Sequence, residues 1–67
     1  MAETAAGGRG GDTQARLLGA GLRLFGTEGY DGVSTRQLAR EAGVNIAAIA
    51  YHFGGKRELY RAVLGQL

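Results

Sequence analysis

Gly43 separates two short stretches that each pattern as an amphipathic helix, and this arrangement leaves few folds open to the chain. Upstream, Ser34 and Gln37 have the spacing of a capping box, in which each side chain satisfies an orphan amide at a helix start. Thr35 through Ala42 then predict a helix with Leu38, Ala39 and Ala42 as its inward stripe and Arg36, Arg40 and Glu41 facing out. Gly43 supplies the left-handed backbone position that stops it. Val44 is expected to fold inward at the turn, and Asn45 to cap a third helix from Ile46 to about Phe53. In that helix Ile49 and Phe53 share the buried side, while Ala47, Ala48 and Tyr51 point away. Two short helices joined at a glycine turn form a helix-turn-helix, a shape that fits the major groove of DNA.

The flanking segments supply the rest of an all-α fold, a small helical bundle. Asp12 or Thr13 can cap a first helix running to about Gly26, with Leu17, Leu18, Gly21, Leu22, Leu24 and Phe25 at three-and-four spacing. Gly19 and Gly21 each cost up to about 1 kcal/mol against alanine, so they mark either close helix contact or a weak segment. Residues 26–32 turn the chain, with Tyr30 the one residue there expected to bury. Beyond Gly54 and Gly55, Lys56 to Leu67 predicts a fourth helix with Leu59, Val63 and Leu67 along one side. Residues 1–11 hold four glycines and no large apolar anchor, so a disordered arm is expected before a domain spanning 12–67. Arg9 on that arm could reach a phosphate or a minor groove, although a solvated tail charge is the simpler expectation.

Composition removes most other functions. Sixty-seven residues make one small domain that buries only about 60% of its unfolded surface, too little to enclose a large ligand pocket. With no cysteine there is neither a disulfide nor a thiolate zinc site, and the single histidine, His52, has no companion ligands. No metal or other cofactor is expected. Catalysis is not expected either, because Ser34 and His52 lack a third member of any triad. No leader pattern or long apolar run is present, which points to a soluble, cytoplasmic protein without a membrane partner.

The formal charge of +2 is concentrated around the motif. Between Ser34 and Arg61, the five basic residues Arg36, Arg40, Lys56, Arg57 and Arg61 stand against Glu41 and Glu58. Such a bias favours polyanions, though a charge this small is common elsewhere. In a groove, the residues nearest the bases would be Asn45, Ile46, Ala47, Ala48 and Tyr51. Only Asn45 and Tyr51 can hydrogen-bond, and Asn45 is claimed by its cap, so readout would rely on methyl contacts from Ile46, Ala47 and Ala48 to thymine. Arg36 is the candidate for a strong base contact to guanine, against the alternative of a solvated or phosphate-bound arginine. The rival to DNA binding is a helical protein-interaction module in which Ala47, Ala48 and Tyr51 dock on a partner helix.

Taken together, Leu17-Leu18 to Leu24-Phe25, Gly29-Tyr30, Ser34-Thr35-Arg36-Gln37-Leu38-Ala39, Ala42-Gly43-Val44 and Tyr51-His52-Phe53 with Lys56 and Leu59-Tyr60 resemble the TetR family of bacterial repressors. The run from Asn45 to Lys56 looks most like its CecR-type subgroup. The resemblance covers roughly Thr13 to Leu67. It implies a DNA-binding head with Ser34, Thr35, Tyr51, His52 and Lys56 as phosphate contacts, and the amides at the start of the fourth helix, exposed by Gly55, as a further one. It also implies a C-terminal helical domain, absent from this chain, that binds a small effector and dimerises on a palindromic operator. The head alone is then expected to be monomeric, and the whole regulator to act on the bacterial nucleoid. One departure is Ala50, where the family often places a tyrosine or another group able to reach phosphate.

Overall fold

A computed structural model describes residues 9–67 of the chain, with side chains from Gly11 onward. Expectations about residues 1–8 and about the Arg9 side chain fall outside the described residues. Four helices follow in order: α1 (Arg9–Glu28), α2 (Thr35–Ala42), α3 (Ala47–His52) and α4 (Lys56–Gln66).

Each helix contributes one fully buried branched side chain to a common centre: Leu17 from α1, Leu38 from α2, Ile49 from α3 and Leu59 from α4. Burying one such side chain contributes about 1.5–3 kcal/mol, so this quartet is the main reason four short helices hold together. Ala20, Phe25, Val33, Ala39, Ala42 and Val63 complete the core, and α1 packs along both α2 and α4. An aromatic group closes one end. Phe25 stacks on Tyr30 at 5.8 Å, and Tyr60 meets both rings edge-on at 4.9 and 4.8 Å.

The first helix begins at Arg9, before the expected cap at Asp12 or Thr13, so residues 9–11 belong to α1 and not to an arm. Asp12 lies inside the helix, where its carboxylate pairs one turn ahead with Arg16, Nε to Oδ2 at 2.9 Å. At the other end the helix runs past Gly26 to Glu28. The terminating glycine is Gly29, whose φ of 79° is left-handed and whose amide donates to the Phe25 carbonyl. Gly21 marks a close approach of helices. A methyl group placed on it would lie 2.8 Å from Val63 Cγ2 of α4.

Two expected core leucines are on the surface. Leu22 is about half exposed, and Leu67, expected along the buried side of the fourth helix, is 83% exposed because α4 ends at Gln66. Leu24 packs against the core as expected, and Tyr60 joins it.

Candidate nucleic-acid interface

The start of α2 forms as its residues predict. Ser34 Oγ accepts from the Gln37 amide at 3.1 Å while Gln37 Oε1 accepts from the Ser34 amide at 3.0 Å. Because the serine oxygen only accepts in this box, its hydroxyl hydrogen is left to donate outward. Thr35 follows half-buried, and Arg36 is exposed with no ion pair or hydrogen bond to another described residue. Arg23 of α1 takes up Glu41 instead, Nε to Oε2 at 2.9 Å. That pair ties α1 to α2 and partly neutralises the acidic residue nearest Arg40.

Gly43 ends α2 with φ 72°, and the Val44 amide donates to the Ala39 carbonyl at 3.0 Å. α3 starts one residue later than expected, at Ala47, with Ile46 at its N-cap position and no side-chain cap, because Asn45 forms the preceding turn, its Oδ1 accepting from the Ala47 amide at 2.8 Å. This hydrogen bond spends only the oxygen. The Asn45 side-chain amide keeps both hydrogens as donors, so its role at the helix start and a role toward a ligand are compatible.

The six residues of α3 are held to the core by Ile49, which is 1% exposed, and by the half-buried Phe53. On its opposite side Ile46, Ala47 and Tyr51 project, with Tyr51 83% exposed and its ring meeting His52 edge-on at 4.9 Å. Ala48 departs from the expectation that it points away. It is half-buried and packs against the core, because it lies only about 100° around the helix from Ile49, on the flank of the buried side. Its methyl is therefore only partly available to a partner. Ala50, where the family often carries a phosphate-reaching group, is exposed and offers only a methyl.

An open groove of about 740 Å³ runs between the first turns of α1 and the outer side of α3, bounded by Asp12 and Arg16 on one wall and Ala47, Ala48 and Tyr51 on the other. Arg16 was not anticipated at this place. Its Nη1 would lie 3.8 Å from a methyl on Gly43, so α1 brings a cation to the turn between α2 and α3. The only sequence hint was Asp12 four residues ahead, which orients the guanidinium.

Lys56 opens α4, half-buried, with its ammonium 4.1 Å from the centre of the Tyr30 ring. The amides beside it are less open than Gly55 suggested. Glu58, in the first turn of α4, folds back so that its Oε1 would lie 3.2 Å from a methyl on Gly55. A carboxylate at a helix start is favourable for the helix, and it opposes any phosphate approaching the same amides. Among the described residues no helix is long and apolar enough to cross a membrane, and no three potential metal ligands cluster.

Residues 17–63 match the family model described as bacterial regulatory proteins, tetR family. The chain is 44% identical over 54 residues to the HTH-type transcriptional dual regulator CecR of Shigella flexneri, covering 81% of this chain and 24% of that protein. It is 34% identical over 59 residues to the HTH-type transcriptional repressor AcnR of Corynebacterium glutamicum, covering 88% of this chain and 31% of the repressor. Among solved structures, HlyIIR, a hemolysin II transcriptional regulator, superposes with a TM-score of 0.81 at 38% identity over 85% of this chain and 32% of its own. The chain thus spans about a quarter to a third of these three relatives. A family match over most of the core, with the capping box, the left-handed Gly43 and the outward side of α3 in place, makes this chain a member of the TetR family and its helix-turn-helix DNA-binding domain.

Proposed function

We propose that the chain reads duplex DNA by laying the outer side of α3 in the major groove while the starts of α2 and α4 grip the phosphates on either side. The observation that carries this reading is the two-sidedness of α3, with Ile49 sealed in the core and Tyr51 almost wholly exposed. Ile46 and Ala47 meet thymine methyls, Ala48 contributes little from its half-buried position, and Arg36 reads guanine in two-pronged fashion. Ser34, Thr35, Tyr51, His52 and Lys56 contact phosphate, joined by the free amide hydrogens of Asn45. In the longer regulator this head acts as one half of a dimer on a palindromic operator. Repression is relieved there by a small effector bound in a further helical domain, and the regulator works in the bacterial cytoplasm at the nucleoid.

Fluorescence anisotropy of a labelled random duplex, titrated at about 50 and 200 mM salt, tests the reading. Each phosphate neutralised by a cationic side chain implies a loss of about 3.5-fold between the two conditions. A flat salt response would reject the DNA reading in favour of a protein-docking helix. Arg36→Ala is expected to relax sequence preference, and Lys56→Ala to weaken binding to every duplex alike. Uniform loss with both variants would remove Arg36 from base readout.

A further inference from the structure

The contact between Lys56 and Tyr30 joins the proposed phosphate grip to a part of the fold that does not otherwise face it. Tyr30 lies in the loop after α1, twenty-six positions before Lys56, yet its ring centre is 4.1 Å from the lysine ammonium. The ring is itself held on two sides, stacked with Phe25 and crossed edge-on by Tyr60. An aromatic face attracts an ammonium through its quadrupole, and a lysine carries three donors on a flexible four-carbon stem. The ring therefore restricts where the charge sits, and the ammonium keeps donors that a π-face does not consume. A phosphate, with a full negative charge, competes easily for those donors.

We propose that Tyr30 is a positioning residue for DNA binding, its clamped ring holding the Lys56 ammonium at the start of α4 where a duplex phosphate meets it. This rests on the assignment of Lys56 as a phosphate contact made above. Ordering the lysine before DNA arrives removes part of the conformational cost of binding. Tyr30 and Phe25 thus act on the interface without touching it.

The test replaces Tyr30 with phenylalanine and then with its mono-, di- and trifluorinated analogues by nonsense suppression. This series keeps the shape of the ring while draining its negative face. Each protein is titrated with a random 20-base-pair duplex, in the Lys56 parent and in a Lys56→Ala background, with thermal midpoints followed in parallel. In the parent, affinity is expected to fall stepwise with fluorine count, by about two- to fivefold over the series. In the Lys56→Ala background it is expected to stay flat. Loss that persists without the lysine would be a packing effect and would overturn the proposal. A flat series in the parent, with Lys56→Ala itself weakening binding, overturns the role of Tyr30 alone. Undiminished binding by Lys56→Ala overturns both this inference and the phosphate role of Lys56. Affinity that rises with fluorination also overturns it, since the ring would then be withholding the ammonium from DNA.

Discussion

At the scale of single residues, two groups of the proposed interface are already engaged within the fold, and hydrogen-bond accounting shows what each has left to offer DNA. Ser34 gives its oxygen to the helix and keeps its hydrogen, and Asn45 gives its carbonyl and keeps its amide hydrogens. The Ser34 box was legible in the sequence because its two partners are three residues apart, whereas the expected Asn45 cap gives way to a turn onto Ala47. Glu58 stands three residues beyond Gly55 in the first turn of α4, and its opposition to a phosphate there follows from the structure, which folds its carboxylate back over Gly55. At about 7 Å in a water-like medium, two unit charges interact by about 0.6 kcal/mol, close to a threefold change in affinity. Glu58→Gln is therefore expected to tighten binding to random duplex about two- to threefold at low salt, with the gain shrinking as salt rises. Unchanged or weaker binding, measured by anisotropy at matched salt, would show that the carboxylate does not oppose the phosphate.

At the scale of elements, the stability of α3 comes from its neighbours. Six residues cannot sustain a helix alone, so the helix exists because Ile49 and Phe53 are seated by α2 and α4. In the same core α1 crosses α4, and Gly21 sets how close the two helices come. Alanine at this position gains up to about 1 kcal/mol in helix propensity, but its methyl would meet Val63 Cγ2 at 2.8 Å, and such overpacking costs about 1–3 kcal/mol. The clash should win. Gly21→Ala is expected to lower stability in urea unfolding, and combining it with Val63→Ala should cost less than the sum of the two single changes. A Gly21→Ala protein more stable than the parent would mean that the glycine merely weakens α1. The sequence offered both readings of Gly21 and could not choose, because the deciding partner lies forty-two positions away.

At the scale of the whole molecule, the number of recognition helices limits what one head can do. The head carries one α3, and half-sites one helical turn apart are separated by about 34–36 Å, so a single copy reads one half-site. Two copies joined by a flexible linker of roughly 40 residues, with a root-mean-square reach of about 35 Å, could engage both. Selection from a random duplex pool should then enrich paired, inverted half-sites for the tandem protein and only a weak single motif for one head. On the selected duplex, the tandem should bind about 10²- to 10⁴-fold more tightly than the single head. Enrichment of the same lone motif by both proteins would argue against paired half-sites.

The local grammar of this chain was determined by its sequence: the capping box at Ser34, the stop at Gly43, the stripe of Leu38, Ala39 and Ala42, and the outward side chains of Ile46, Ala47 and Tyr51. These features depend on hydrogen bonds spanning five residues or fewer and on a repeat of 3.6, both of which are written along the chain. Tertiary structure alone decided that Ala48 turns half inward, that Leu22 and Leu67 stay outside, that Arg16 reaches the turn at Gly43 and that Lys56 rests on Tyr30. Each of these outcomes depends on how two helices cross or on where a loop folds back, and side chains distant in sequence become neighbours only once that crossing exists.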